Sequence, residues 1–238
     1  AFSGDDRHVV DYLLDEVLAN QSPETRDWML KSSILTRFCA SSCDAVCGND
    51  NATEQPGLDG VRFVRELCGG NLFVISLDPE GKWFRYHHLF QDFLQQQLNQ
   101  RFEPDEIAEF HIAAGRWFAQ NQWVEEALHH FLIARDTTAA IELIARHRYR
   151  LMNEARWSVL DNWLNLFSEP VVEQSPELWM LKTWLGYHQG RWNELPAMIQ
   201  RFETILADHP DPQQTGRLAG EIHAVRSVFL FYSGDLKN

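Results

Sequence analysis

The stretch Leu72-Phe73-Val74-Ile75-Ser76-Leu77-Asp78-Pro79-Glu80-Gly81-Lys82-Trp83-Phe84-Arg85-Tyr86-His87 decides the fold. Two apolar and aromatic runs flank an Asp-Pro-x-Gly turn. β-Branched and aromatic side chains suit a pleated surface and Pro and Gly supply turn dihedrals, so the pattern predicts a β-hairpin. Upstream the period is helical. Val9, Val10, Leu13, Leu14, Val17 and Leu18 recur at helical spacing from Asp6 to Leu18. Ser22 as N-cap, Pro23 at the first position and Glu24 in the first turn start a second helix carrying Trp28, Met29 and Leu30. A short third helix is predicted from Ser42 to Val46 with Gly48 past its end, then a polar loop from Gly48 to Gly60, then a helix through Val61, Val64 and Leu67 ended by Gly69-Gly70. Downstream the helical period returns through Leu89, Phe90, Phe93, Leu94 and Leu98. Helices followed by one hairpin within about 100 residues is the layout of a winged-helix domain.

Pro104 punctuates the chain, and everything after it reads as helix. Phe110, Ala114, Trp117 and Phe118 share one stripe, Ala127, Leu128 and Phe131 the next, and Ala140, Ile141 and Ile144 a third. Further stripes run through Val159, Leu160 and Trp163, through Leu178, Leu181, Trp184 and Leu185, through Met198, Ile199 and Phe202, and through Ile222, Val225 and Phe229. The connections are short and polar, as in Gln120-Asn121-Gln122 and Gln189-Gly190-Arg191, which predicts antiparallel helix pairs. The Trp-x turn pattern at Trp117-Phe118 is echoed at Trp184-Leu185 and again near Tyr232-Ser233-Gly234. The expected fold is therefore mainly α: a winged helix with one β-hairpin, followed by a tetratricopeptide-like superhelical array.

Composition narrows the function classes. Of 238 residues 45% are hydrophobic and 23% charged, enough for a real core. Acidic side chains outnumber basic ones by 34 to 21, for a net charge of −13. That leaves no basic stripe to neutralise phosphates, so this chain is not expected to bind nucleic acid itself. There is no uncharged apolar run of about 18 residues, and Ala1-Phe2-Ser3-Gly4 lacks the basic and apolar parts of a signal peptide, so neither a membrane span nor secretion is expected. Four cysteines, three of them at Cys39, Cys43 and Cys47, fit reduced thiols and a cytoplasmic location. A start at Ala1 and an end in mid-pattern at Asp235-Leu236-Lys237-Asn238 are expected of a piece of a longer polypeptide.

Several runs carry a resemblance to a known family. They are Val9-Val10-Asp11-Tyr12-Leu13-Leu14, Leu30-Lys31-Ser32-Ser33-Ile34-Leu35-Thr36-Arg37-Phe38, Cys43-Asp44-Ala45-Val46-Cys47-Gly48, Tyr86-His87-His88-Leu89-Phe90-Gln91-Asp92-Phe93-Leu94 and His111-Ile112-Ala113-Ala114-Gly115-Arg116-Trp117-Phe118. In combination the chain resembles the MalT-type large ATP-binding regulators of the LuxR family, signal-transducing NTPases. The resemblance implies a linker helix over 1–20 from an upstream nucleotide-binding domain, a winged-helix domain over 21–103, a helical arm over 104–170 and the first sensor repeats over 171–238. It implies ATP or ADP in the full-length parent only, because no Gly-x-x-x-x-Gly-Lys-Ser/Thr phosphate loop occurs in this chain. The implied partners are the upstream nucleotide-binding domain and the downstream sensor of the same chain, with an inducer acting on the parent. DNA would be reached only through a C-terminal domain that this chain does not contain. Such NTPases carry a Met-His-Asp-like motif whose His touches the β-phosphate of ADP. Tyr86-His87-His88 looks like that motif, with His87 at the His position and His88, a weaker candidate, where Asp usually stands.

Other chemistry-bearing residues have plainer readings. Cys39, Cys43 and Cys47 match no zinc-knuckle spacing and are expected to be small buried hydrophobes. His111, His129 and His130 lack the acidic residue of a His-Glu-x-x-His pattern and are expected at solvated or helix-end positions, so no metal is assigned. Asn51-Ala52-Thr53 matches a glycosylation sequon by accident in a cytosolic chain. Trp123 and Trp192 fall at turns and are candidates for partial exposure. No nucleophile–base pair or catalytic carboxylate pair emerges, so no enzymatic role is expected, and the resemblance implies a regulatory fragment of an ATP-dependent transcriptional activator. The rival is a free-standing helical-repeat adaptor for a protein partner.

Overall fold

Ser22 opens the first complete helix, α1 (Pro23–Ser32), by the predicted device: its hydroxyl accepts from the Thr25 N–H at 3.0 Å, with Pro23 in the first turn. The computed structural model describes residues 16–48, 58–70, 72–207 and 212–233, and it divides into two units, 1–140 and 141–238. The helix predicted from Asp6 lies mostly outside the described residues, though residues 16–19 are helical. The Asn51 sequon and the Gly234 echo also lie outside them.

In the first unit, α1 packs on α2 (Ala40–Cys47), which packs on α3 (Gly60–Gly69). α2 is longer than predicted at both ends because the Cys39 N–H is satisfied by the Ser42 hydroxyl at 2.9 Å, so the turn closes before Ser42. The start of α3 comes so near α2 that a Cβ on Gly60 would lie 2.0 Å from the Ala40 carbonyl oxygen, and the Gly60 N–H donates to Asp44 Oδ1 at 2.6 Å. Only glycine permits that approach. The hairpin β1 (Val74–Ser76) and β2 (Phe84–Tyr86) is antiparallel, with Val74 opposite Tyr86 and Ser76 opposite Phe84. Phe38 extends it by one bridge, exchanging both backbone hydrogen bonds with Phe84 at 2.8 Å.

Then comes α4 (His88–Arg101), packed on α1 and stapled to the chain that leaves α1: Gln91 donates to the carbonyls of Ser33 and Leu35, and Gln95 to that of Ser33. The core between these elements holds Met29, Leu35, Phe38, Phe63, Leu67, Phe90 and Leu94, all at most 1% exposed. Each such side chain contributes about 1.5–3 kcal/mol by leaving water. Pro104 sits at the first position of α5 (Pro104–Gln120), so it begins a helix that follows α4 almost at once. α5 pairs with α6 (Val124–Ile133) and also packs on α2.

α7 (Thr137–Asn153) runs through the division. The second unit continues with α8 (Trp157–Leu164), α9 (Glu169–Gln174), α10 (Pro176–His188), α11 (Leu195–Ala207) and α12 (Pro212–Ser233). α9 was not predicted, since six residues with only Val171 and Val172 apolar show no period. α10 is central: α8, α9, α11 and α12 all pack on it. Trp179, Met180 and Thr183 are buried on it as well as Leu178, Leu181 and Leu185, so it is enclosed rather than one-sided.

Candidate functional site at the hairpin-to-helix junction

The site predicted at His87 and His88 is built by the hairpin. Asp78 closes the turn by accepting from the backbone N–H groups of Lys82 at 3.0 Å and Trp83 at 2.6 Å, and Gly81 takes a φ of +63°. Those donors, Lys82 first, hold the Asp78 carboxyl below the usual carboxylate range. Tyr86 at the end of β2 is buried, with its hydroxyl 2.8 Å from that of Ser32. That anchor delivers the next residue to the surface. The His87 N–H donates to the Phe73 carbonyl at 2.7 Å, and Phe73 itself is held at φ +52°, a left-handed conformation that costs a non-glycine residue about 1–2 kcal/mol.

His87 is the N-cap residue of α4, half-buried, and His88 is exposed, with the two rings 4.4 Å apart. The His87 side chain makes no capping hydrogen bond, and the first turn of α4 holds no acidic residue. Backbone N–H groups at a helix start attract anions when no side chain occupies them. Two imidazoles beside such a terminus add N–H donors on the same spot. Phe73 and Leu89, each 44% exposed, make the flank apolar. Sequence reading found the two histidines; their apolar flank was missed, because exposure at the end of a strand and in a first helical turn leaves no periodic trace.

A second feature joins the winged helix to the α5–α6 pair inside the first unit. The Arg37 guanidinium lies 3.8 Å from the Trp123 ring centroid and 5.7 Å from that of Trp83, and it pairs with Glu126. Trp83 in turn packs at 5.4 Å on Trp123 and 6.0 Å on Trp117. Trp123 is accordingly half-buried at its turn, and Trp192 is 40% exposed.

The remaining candidates divide. Cys43 and Cys47 are buried as expected, and burial pushes both thiols up. Cys39 is half-buried at the N-cap of α2 and Cys68 is exposed. His129 is exposed and His130 lies in the last turn of α6, as expected, but His111 and His130 are not solvated. Packing of α5 on α6 buries both, with Nδ1 atoms 2.8 Å apart, so one imidazole donates to the other. Desolvation is the main cause that lowers His111 to about 4 and His130 to about 3, with nearby imidazoles adding to it. Among the described residues no group of three or more His, Cys, Asp or Glu is placed to hold a metal ion, and no helix is long and apolar enough to cross a membrane.

Comparison with known proteins gives this geometry a context. Residues 14–107 match the family model of the MalT winged helix domain. The chain is 31% identical over 229 residues to the HTH-type transcriptional regulator MalT of Klebsiella pneumoniae and, equally, to that of Cronobacter sakazakii. Each match covers 96% of this chain but 24% of the relative, so the chain spans about a quarter of the length of the regulators it matches. Residues 14–107 thus resemble the MalT winged helix domain, with the β1–β2 hairpin in the place of its wing, in a chain similar along nearly all its length to transcriptional regulators.

Proposed function

We propose that this chain is the regulatory middle of an ATP-dependent transcriptional activator that works in the cytoplasm. Its winged helix holds the resting state through ADP bound on an upstream nucleotide-binding domain. The observation that carries the reading is the start of α4: N–H groups that no side chain caps, with His87 and His88 beside them. Such a surface suits a diphosphate presented by a neighbour. His87 donates to the β-phosphate, and His88 adds a second, weaker donor. Phe73 and Leu89 form the apolar flank on which the neighbouring domain rests. The later helices, arranged as tetratricopeptide-like repeats, pass inducer binding back to this contact, and losing it frees the winged helix to swing away. In this reading the chain itself is not an enzyme.

The test uses the full-length parent. His87→Ala is expected to speed ADP release and to raise transcription without inducer, whereas His87→Asn, which keeps an N–H donor, retains part of the hold. Unchanged ADP release together with unchanged uninduced transcription refutes the reading. Specific capture of a protein partner by this chain, with no nucleotide linkage in the parent, would favour the adaptor instead.

A further inference from the structure

A cleft of about 750 Å³ opens where α2, α3, the wing and the end of α5 meet, all within the first unit. That volume is in the range of small-molecule sites, about 300–1,000 Å³. Its walls are indoles. Trp83, Trp117 and Trp123 line it, and Trp83 meets Trp117 at 68° and Trp123 at 52°, so the rings form a cup and not a closed stack. Each of the three is half-buried, and none of their N–H groups donates to an acceptor among the described residues. Arg37 lies over the Trp123 ring, 3.8 Å from its centroid. Opposite, α3 contributes Val61, which is 57% exposed, and Val64.

The charges point one way. Arg65 lines the cleft, is exposed and has no ion-pair partner among the described residues. Lys82 lines it from the wing, paired with Glu80. The single carboxylate in the lining, Asp44, is engaged by the Gly60 N–H at 2.6 Å. In a chain of net charge −13, an aromatic cup with a free guanidinium at its edge is a local inversion of the surface. Indole faces take flat apolar rings, indole N–H and guanidinium groups take carboxylate oxygens, and a ligand that offers both satisfies groups that are otherwise left to water.

We propose that this cleft binds a planar aromatic carboxylate, its rings against Trp83, Trp117 and Trp123 and its carboxylate on Arg65. The site is separate from the His87 surface and does not depend on the nucleotide reading. An occupant touches both the winged helix and α5, so it stiffens the joint that Arg37 and Glu126 already hold.

The experiment titrates the 238-residue chain with 2-naphthoate, followed by calorimetry and by quenching of tryptophan fluorescence, beside the neutral 2-naphthalenemethanol. Saturable one-to-one binding of naphthoate is expected, about tenfold tighter than the alcohol and weakened by salt. Arg65→Gln removes about that tenfold. Val61→Glu, at an exposed helical position, places a carboxylate against the ligand's own and is expected to abolish binding with an unchanged melting temperature. Equal binding of acid and alcohol, naphthoate affinity untouched by both variants, or no saturable binding would each overturn the proposal.

Discussion

The two units differ in whether they bury charge. The first buries neutral polar groups: the Tyr86 and Ser32 hydroxyls 2.8 Å apart, and the His111 and His130 imidazoles 2.8 Å apart with His130 stacked on Phe118. The second buries charge. Arg148, with a fully buried side chain, makes a two-pronged contact with Glu221 at 2.6 and 2.7 Å and stands 3.6 Å from Glu177, which also pairs with Arg217; Tyr149 and Trp184 donate to Glu221. Burial pulls the Arg148 guanidinium down, but its bonds to Glu221 outweigh that and hold it above its ordinary value, while Glu221 is held below the usual carboxylate range against the same burial. A neutral pair needs only that two helices meet. A charged cluster of α7, α10 and α12 must close fully or cost several kcal/mol per uncompensated ion, so it selects one arrangement of the three helices.

The sharpest way to break that contrast is to remove one charge. Arg148→Ala leaves Glu221 buried without its guanidinium partner and Glu177 with Arg217 alone, and is expected to destabilise the chain by about 3–5 kcal/mol in urea unfolding. The paired replacement Arg148→Met with Glu221→Leu is expected to recover much of that loss, because no carboxylate of the pair is left stranded. A double variant as unstable as the single one would mean the cluster stabilises in its own right.

Next is acidity. Both histidines titrate near 6.5 when unfolded and are lowered when folded, so between those limits the unfolded state binds more protons. Stability is complete above about pH 6.5 and falls as pH drops toward 4 for His111 and 3 for His130, by about 1.4 kcal/mol per pH unit for each histidine. Replacing both, as His111→Leu with His130→Phe, should flatten the unfolding profile in that window. An unaltered profile would place the acid sensitivity elsewhere.

Smaller effects refine the picture. Arg37→Ala loses the contact with Trp123 and the pair with Glu126, at a cost of about 1–2 kcal/mol. Arg37→Lys should recover less than half, since an ammonium cannot lie flat on an indole. Thermal melting of both variants decides. Smallest are the helix ends. Ala155→Gly relieves a left-handed residue at φ +55° and should stabilise by up to about 1 kcal/mol, while Gly190→Ala, at φ +72°, should lose a similar amount.

Those helix ends show what was legible. Gln122, Arg135, Ala155 and Gly190 all take positive φ, and each is followed by the same 6→1 bond: Trp123 to Phe118, Asp136 to Phe131, Arg156 to Leu151 and Arg191 to Gly186. The repeated turn is the physical content of the weak echo between the polar connections. Only Gly190 announces it, because only glycine is left-handed by preference, whereas at the other three positions packing overrides the residue. The hairpin was legible for a complementary reason, since two apolar and aromatic runs around an Asp-Pro-x-Gly turn are local. The candidate site was half legible: His87 and His88 are adjacent in the chain and placed by the hairpin, but their uncapped helix start and exposed flank are features of three-dimensional packing.

The sequence alone determined the order of elements, the wing, most helix positions and the acidic character, because these rest on periodicity, capping residues and composition. The tertiary structure alone decided which polar residues became partners. His111 and His130 stand 19 residues apart on different helices, and Arg148 lies in the run Arg146-His147-Arg148-Tyr149-Arg150 while its partner Glu221 is 73 residues away. The Trp83, Trp117 and Trp123 cup joins a wing, a helix end and a turn. Pairing energies act through space, across contacts that periodicity along the chain does not record.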